Sequence, residues 1–432
     1  MIDLYQKYFN LDPELIKLIK KAEIKIEPYL KIIGENAFLN QAKVLKAFKS
    51  YNVSEYFFSG SSGYGYGDCG RQALDKIYAD VFGTGDALVR MQFVSGTHAI
   101  AVCLFALLKP GDTLISAAGT PYDTLQKVIG KKNPEKKGTL IDSGIEYREI
   151  GLNSLGKIDF DSLKEVLKEK VKVVLLQRSK GYSWRPAVSL EEIEKTARLI
   201  KEINPGTILF VDNCYGEFVG TREPTELGAD LIAGSLIKNP GGGLAPSGGY
   251  TAGRRDLIEL IADRLTAPGL GKEVGATLNI NRYYFQGFFM APHIVGEALK
   301  AALFAAALFE ELGFAVNPKF DEYRSDIVQA VKFEDPEILL SFCKGIQSYG
   351  PVDSYVTPEP GYAAGYSDKV VMAAGTFFQG ASLELSADAP YKPPYTAYLQ
   401  GGLTFEHGKI GIIGAAKEVF KILKRNKNLV QR

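Results

Sequence analysis

Lys238 is the residue whose sequence surroundings are best suited to chemistry. It follows a short apolar segment and precedes a glycine-rich turn, within GSLIKNPGGG. A lysine in a partly buried site has a lowered pKa, and its amine can form a Schiff base with a carbonyl cofactor. The alternative is an ordinary lysine on a turn. The segment is not a Walker-type phosphate loop, because the closing Gly-Lys-Ser/Thr is absent.

Asp212 has a similar position at the predicted end of a strand. It directly follows four apolar residues in ILFVDNCYGEF. Pyridoxal phosphate needs a carboxylate against its pyridine nitrogen, because the protonated ring then takes up the electrons of a substrate carbanion. Asp212 precedes Lys238 by 26 residues (238 − 212), about one strand–helix–strand step, so both side chains can reach one pocket. The alternative is an aspartate that caps a helix.

The segment Ser95-Gly96-Thr97-His98 links a predicted strand to an apolar helix. Backbone N–H groups at a helix N-terminus bind phosphate well. Gly96 permits close approach, Thr97 can add a hydroxyl, and Ser235 lies three residues before Lys238. The alternative is that these hydroxyls only cap a helix.

Several aromatic residues could contact the cofactor. Tyr122, in GTPYDTL, follows a predicted strand, and a flat ring there could stack on the pyridine face. His98 is the rival for stacking, because it directly follows the phosphate-binding turn. Tyr64 and Tyr66 lie in a glycine-rich loop before Arg71. The alternative for each tyrosine is an ordinary core or surface residue, since the chain has 23 of them.

The elements that must position these residues are those of an α/β protein. Residues 13–50 have helical spacing, with Pro28 predicted to separate two helices. Residues 51–70 are predicted to form a long loop. A loop of this length is usually functional or disordered, and its aromatic residues favour a function. Beyond it, short apolar strands alternate with helices, which predicts a mostly parallel sheet covered on both faces. A long Ala- and Leu-rich helix is predicted at 292–313.

We therefore predict three regions and exclude several classes of protein. The regions are an N-terminal helical arm (1–50), a large domain (51–285), and a linker helix with a small α+β C-terminal domain (286–432). The net charge of +1 argues against nucleic-acid or membrane-surface binding. No apolar run reaches the roughly 18 residues that cross a bilayer, and no signal peptide is evident, so we expect a cytoplasmic protein. Four scattered cysteines and three histidines predict no metal site.

The order of these motifs resembles the fold-type I pyridoxal-phosphate enzymes. More closely, the chain resembles the methionine gamma-lyase / cystathionine beta-lyase-like family, in the branch called aluminium-resistance protein. The resemblance covers nearly the whole chain. The specific stretches are SGYGYGDCGR, VSGTHAI, QRSKGYSWRP, VDNCYGEF, GSLIKNPGGGLAPSGGY and YLQGGLTFEHGKIGI.

The resemblance implies a role for each site residue. It implies Lys238 as the cofactor-bearing lysine, Asp212 on the pyridine nitrogen, and Tyr122 stacked on the ring. It implies phosphate binding by Gly96, Thr97 and Ser235. From their place in the same turn, Ser95 and His98 are further candidates for contact with the cofactor. In such families a Tyr and an Arg from the neighbouring subunit also reach the phosphate, and the nearest matches are Tyr64, Tyr66 and Arg71. That implies a homodimer or homotetramer with shared active sites.

One departure concerns the substrate. The usual gamma-lyases have an Arg-Leu-Ser segment whose arginine holds the substrate carboxylate, whereas residues 382–386 here read SLELS. Another basic residue must take that role. Arg178 is the first candidate, because an arginine grips a carboxylate with two parallel bonds, and Lys392 is the second. The alternative for Arg178 is a structural ion pair.

The resemblance implies a carbon–sulfur lyase that acts on a sulfur-containing amino acid. Lys238 would act as general base, and Tyr122 could assist a gamma elimination. Retro-aldol cleavage or transamination on the same scaffold remains an alternative. A pyridoxal-phosphate-binding protein without turnover, active in stress tolerance, is the alternative from another class.

Overall fold

The protein is described by a computed structural model covering residues 2–132, 135–363 and 365–430, with side chains from 5 to 426 in those ranges. The α-helices, numbered in chain order, are α1 Ile2–Phe9, α2 Pro13–Ser50, α3 Cys69–Val81, α4 Gly96–Leu107, α5 Asp123–Ile129, α6 Phe160–Val166, α7 Leu190–Ile203, α8 Arg255–Leu265, α9 Asn281–Glu311, α10 Pro336–Ser348 and α11 Phe405–Val430. The strands are β1 Asp86–Arg90, β2 Thr113–Ser116, β3 Glu146–Glu149, β4 Val173–Gln177, β5 Ile208–Asp212, β6 Leu231–Ser235, β7 Gly249–Gly253, β8 Ala315–Asn317, β9 Gln329–Lys332, β10 Val370–Ala374, β11 Ser386–Pro390 and β12 Thr396–Gln400.

The first sheet is mostly parallel, which confirms the predicted α/β class. Its seven described strands have the order β1-β7-β6-β5-β4-β2-β3, and β7 alone runs opposite to the direction of the other six. Every position of β4, β5 and β6 is buried. Strands covered on both faces are expected to lack polar residues in their interior, and these three have a polar side chain only at their last residue.

Two compact units divide the chain. One comprises residues 38–293 and contains the mostly parallel sheet. The other comprises residues 1–37 and 294–432, and its described strands form an antiparallel sheet in the order β10-β11-β12-β9-β8. The predicted division at residues 50 and 285 stays a prediction.

Two helix predictions were wrong at proline residues. Helix α2 runs through Pro28 without a break, because apolar side chains on both sides of it, such as Ile26 and Ile33, are buried. Packing of that stripe offsets the roughly 3 kcal/mol cost of an interior proline. Helix α9 begins at Asn281, not at 292, so Pro292 lies inside it.

Helix α9 also bears on the membrane expectation. By length and composition it could cross a bilayer, contrary to the expectation that no segment qualifies, but 89% of its most apolar window is buried inside the protein. A core helix meets the same criterion as a membrane span.

Candidate active site

The carboxyl ends of three neighbouring parallel strands bring the predicted residues together. Gln177 at the end of β4 is in register with Asp212 at the end of β5, and Asp212 is in register with Ala233 of β6. Ser235 ends β6, and Lys238 follows three residues later. Ligands of open α/β sheets bind in the crevice beyond such strand ends.

Lys238 lies in the turn after β6, half-buried. Its Nζ is 3.8 Å from the centre of the Tyr215 ring, and no described residue forms a hydrogen bond or ion pair with that amine. Burial lowers the Lys238 pKa, but electrostatic interaction with the acidic groups of Cys214, Tyr215, Asp212 and Tyr122 outweighs burial and raises it well above its ordinary value. The prediction of a lowered pKa was therefore wrong, because it considered burial without these acidic groups.

Asp212 is buried, with 3% of its surface exposed. Its Oδ1 accepts the backbone N–H of Cys214 at 3.2 Å. Burial raises the Asp212 pKa, while the charge of Lys238 and the Cys214 hydrogen bonds oppose that rise. A positive group placed against this carboxylate would therefore hold it in the ionised form.

The N-terminus of α4 meets the end of β6. Ser95 caps the helix, since its Oγ accepts the N–H of His98 at 3.1 Å. The amides of Gly96 and Thr97 are the first two of the helix and have no intrahelical acceptor. A Cβ at Gly96 would lie 3.1 Å from the Ser235 Cβ and 3.4 Å from the Cys214 Sγ, so only glycine lets α4 approach this closely. Free amides beside a serine hydroxyl suit a phosphate.

Tyr122 and His98, the two candidates for ring stacking, have different surroundings. The Tyr122 Oη is 3.1 Å from the Thr97 Oγ1. Burial raises the Tyr122 pKa well above its ordinary value, and the charges of Asp212 and Cys214 add to that rise. His98 accepts the N–H of its own turn at Val94 through Nδ1 at 3.0 Å, and burial lowers its pKa. Tyr122 thus lies near Asp212 and Lys238, whereas burial alone affects the His98 pKa.

The predicted loop before α3 forms hydrogen bonds with residues 273–281 of the same unit. Asp68 accepts the hydroxyls of Ser61 and Thr277, each at 2.5 Å. Arg71 is fully buried and donates to the carbonyl oxygens of Gly65, Glu273 and Gly275. Through these bonds the Arg71 guanidinium holds its own loop against residues 273–275. Its predicted contact with a phosphate stays a prediction.

Tyr64 and Tyr66 lie on the outside of that loop. They are 69% and 65% exposed and stack on each other, with ring centres 5.4 Å apart. Within their own chain they are therefore presented to solvent.

Both predicted carboxylate-binding residues already have acidic partners. Arg178 is fully buried, donates to the Asn213 Oδ1 at 2.7 Å and lies 3.5 Å from the Glu223 Oε2. Lys392 forms an ion pair with Asp368 at 2.5 Å. The geometry of Arg178 agrees with the structural alternative, an internal ion pair.

Arg178 belongs to a buried polar network with Asn213 and Glu223. Asn213 also donates to Glu223, at 3.1 Å. Glu217 accepts the Tyr250 hydroxyl at 2.8 Å, and its Oε2 has no partner. Burial raises the pKa of Glu217 to about 8. This carboxyl is therefore largely protonated at neutral pH.

Cys214 and Tyr215 adjoin the site but had no role in the sequence-based prediction. Tyr215 adopts a left-handed backbone with φ of 72°, a conformation that costs a non-glycine residue energy and often marks functional sites. Their position directly after β5 is the signal that could have indicated them, because such residues line the crevice of an α/β sheet.

The residues fit pyridoxal phosphate. An unpaired amine at Lys238, a buried carboxylate at Asp212 and free helix amides beside Ser235 match its carbonyl, its pyridine nitrogen and its phosphate. Solved structures of pyridoxal-phosphate proteins share the fold: a protein from Escherichia coli matches with a TM-score of 0.61 at 19% identity over 90% of this chain and 97% of its own. The fold is that of the fold-type I pyridoxal-phosphate enzymes, and the site contains the residue types that such a cofactor needs.

Comparison with known proteins identifies the family. The pattern of the methionine gamma-lyase family matches residues 15–420. The chain belongs to that family, and is thereby an enzyme of a carbon–sulfur lyase family. A carbon–sulfur lyase involved in aluminium resistance from Clostridium novyi NT is 50% identical, with a TM-score of 0.92 over 96% of this chain and 98% of its own. The uncharacterised protein YnbB of Bacillus subtilis is 49% identical over 94% of this chain and 97% of its own.

A more distant likeness is to serine hydroxymethyltransferases. The enzyme of Paracidovorax citrulli is 24% identical over 332 residues, which cover 74% of this chain and 68% of that enzyme.

Proposed function

We propose that this protein is a pyridoxal-phosphate-dependent carbon–sulfur lyase that acts on a sulfur-containing amino acid such as cystathionine, cysteine or methionine. The observation that carries the proposal is the unpaired Lys238 amine beside Asp212 at neighbouring strand ends. The relative from Clostridium novyi NT, named a carbon–sulfur lyase, supports the reaction class.

Lys238 has two tasks in this proposal. Its amine holds the cofactor, and when free it accepts the proton from the substrate α-carbon. Bound pyridoxal phosphate supplies the electron sink that makes this proton removable. A positioned general base contributes roughly 10²–10⁴-fold to the rate.

Asp212 and the α4 N-terminus orient the cofactor. The Asp212 carboxylate stabilises a positive charge on the pyridine nitrogen. The amides of Gly96 and Thr97 and the hydroxyl of Ser235 bind the phosphate.

Tyr122 suits proton donation to the departing sulfur. Because burial raises its pKa, the phenol stays protonated at neutral pH. It can stack on the ring and give its proton to the thiolate that leaves, which then departs as a thiol.

The neighbouring subunit completes the site in this proposal. We infer a homodimer or homotetramer in which the exposed Tyr64 and Tyr66 reach the partner's phosphate site. Their exposure in the single chain supports this role.

Visible absorption and product analysis test the proposal. The purified protein with pyridoxal phosphate should show the yellow band of lysine-bound cofactor, absent in Lys238→Arg and retained in the exposed control Lys201→Ala. L-cystathionine, L-cysteine and L-methionine are then assayed for thiol or sulfide and keto acid. A band without thiol release from any of them would refute the lyase assignment.

The likeness to serine hydroxymethyltransferases favours retro-aldol cleavage as the second candidate. L-allo-threonine and L-serine would then release an aldehyde in place of a thiol. Keto acid formed without a thiol would indicate transamination instead.

A further inference from the structure

The face of the Tyr215 ring lies against the Lys238 amine. The Nζ atom is 3.8 Å from the ring centre, within the roughly 6 Å over which an aromatic ring attracts a cation. In the described parts of the chain, no carboxylate lies within ion-pair distance of this amine. The Asp212 Oδ1 instead accepts the Cys214 N–H at 3.2 Å. The aromatic face is therefore a direct contact that can stabilise a charged Lys238.

The backbone of Tyr215 indicates that its ring has a task. The Gly216 N–H donates to the Asn213 carbonyl oxygen at 2.9 Å, and Tyr215 is the third residue of the turn that this bond closes. Its φ of 72° lies in the left-handed region, where glycine or asparagine is usual in a turn and a bulky residue is strained. Such strain clusters at functional sites, and space filling alone would not need a tyrosine at this position.

A buried arginine holds the turn that carries this strain. The Arg178 Nη1 donates to the Asn213 Oδ1 at 2.7 Å, before Tyr215 in the chain. After Tyr215, a Cβ at Gly216 would lie 2.5 Å from the Arg178 Cδ, so only glycine lets the arginine pack this closely. Arg178 therefore contacts the turn on both sides of Tyr215 and supports the backbone that presents the ring.

We propose that the Tyr215 ring binds the charged form of the Lys238 amine and holds it in place whenever this amine is not attached to the cofactor. The face of an aromatic ring attracts a cation through its negative potential. Unlike a carboxylate, it cannot take the proton from the ammonium group.

The benefit to the reaction rests on the proposed function. When the free Lys238 amine accepts the proton of the substrate α-carbon, it becomes an ammonium group. A charge in a partly buried position is costly unless another group compensates for it. The Tyr215 ring lowers that cost, and it keeps the ammonium group within the site. Tyr215 is thus a positioning residue for the general base.

Graded fluorination of the ring tests the proposal. Phenylalanine and its mono-, di- and trifluoro derivatives are introduced at position 215 of the full-length protein, and the cofactor is removed. Fluorine withdraws electrons from the ring face with little change in size, so the attraction for a cation weakens stepwise. Acetic anhydride then labels the uncharged Lys238 amine. Mass spectrometry gives the labelling rate relative to the exposed Lys201 in the same sample.

The labelling rate of Lys238 at pH 8 should rise with each fluorine. We expect the trifluoro ring to give a rate about tenfold above that of Tyr215→Phe, because losing the attraction lowers the pKa of the ammonium group by about one unit. Tyr215→Phe keeps the aromatic face and should match the wild type within about twofold. Tyr215→Leu has no ring and should label at least as fast as the trifluoro variant.

Equal labelling of the phenylalanine and trifluoro variants would overturn the proposal and leave Tyr215 a packing role. If Tyr215→Phe does not fold, Tyr215→Trp decides, since an indole attracts a cation more strongly: we expect slower labelling than in the wild type, and an unchanged rate refutes the contact. No substrate is present in these measurements. A rate that follows fluorination in a protein that releases no thiol would therefore uphold the contact while refuting the lyase reaction.

Discussion

Gly96 and Ser235 belong to different elements of the sheet domain, yet a Cβ at Gly96 would lie only 3.1 Å from the Ser235 Cβ. This contact sets the distance between the α4 N-terminus and the end of β6. The amides at the start of α4 and the Ser235 hydroxyl, which are proposed to bind the phosphate, are thus held at a separation that only glycine at position 96 allows.

Gly96→Ala should weaken cofactor binding. The added methyl group must push α4 from Ser235 by a few tenths of an ångström, and such overpacking costs roughly 1–3 kcal/mol. We expect the dissociation constant for pyridoxal phosphate to rise about tenfold, which is 1.4 kcal/mol, as measured by absorbance titration. Gly34→Ala is the control, since a Cβ there meets nothing within 4 Å; in the interior of α2 it should stabilise the protein by about 0.5–1 kcal/mol. Equal cofactor affinity in both variants would refute the role of Gly96.

Asp212→Asn should separate cofactor binding from catalysis. The amide keeps the size of the side chain but not the negative charge that holds the pyridine nitrogen protonated. We expect the visible band to persist while kcat falls by about 10²–10³-fold, as for other losses of one charge-stabilising group. Wild-type kcat in this variant would show that Asp212 does not contact the pyridine nitrogen.

Arg178→Ala should lower the free energy of unfolding. It leaves Glu223 buried without its cation, and breaking a buried pair costs about 3–5 kcal/mol. Urea unfolding measures this loss, and Arg198→Ala in the exposed pair with Glu194 should lose no more than about 0.5 kcal/mol. If Arg178 instead grips substrate, KM will rise while the unfolding free energy stays near that of the wild type.

The raised pKa of Glu217 predicts a pH-dependent stability. The folded state keeps the proton up to about pH 8, while the unfolded state loses it near the ordinary value of 4.5. The contribution of Glu217 to the free energy of unfolding is therefore fully present below pH 4.5. It is lost as the pH rises towards 8, by up to about 5 kcal/mol at 1.36 kcal/mol per pKa unit. Three neighbours also act on the Glu217 pKa: the hydrogen bond from Tyr250 and the charge of Arg178 lower it, and the charge of Glu223 raises it.

Urea unfolding of Glu217→Gln at several pH values measures the contribution. The variant should lose much of the decline between pH 5 and 8, whereas the exposed variant Glu202→Gln should retain it. Parallel curves for the wild type and Glu217→Gln would show that Glu217 is ionised in the folded protein.

Subunit complementation tests the shared site. Lys238→Ala lacks the reacting amine, and the double variant Tyr64→Ser/Tyr66→Ser lacks the proposed contacts to the partner. Each should be nearly inactive alone. If sites are shared in a dimer, random mixing after mild unfolding leaves half the molecules hybrid with one intact site each, so about a quarter of the activity should return. Mixtures no more active than their components would place both tyrosines outside the neighbour's site.

The proximity of Asp212 and Lys238 could be predicted because the sequence pattern that indicates it is local. Each residue follows a short apolar run, and parallel strands present their carboxyl ends at one edge of the sheet. The capping box of Ser189 and Glu192 at the start of α7 also has a local signal, because a serine followed three residues later by a glutamate is typical of a helix N-terminus.

Long-range partners could not be predicted in this way. Glu223 lies 45 residues from Arg178, and nothing in the local sequence indicates that the two meet. The continuous helix across Pro28 depends on burial that no propensity records.

The loop around Asp68 has a consequence for assembly. Its hydrogen bonds to residues 273–281 form within one chain, so Tyr64 and Tyr66 are preorganised before any second subunit arrives. Ordering a flexible segment on association would cost about 1–2 kcal/mol per residue in backbone entropy. Here that loss occurs during folding of the single chain. If the proposed oligomer forms, more of the contact energy is left to appear as affinity between subunits.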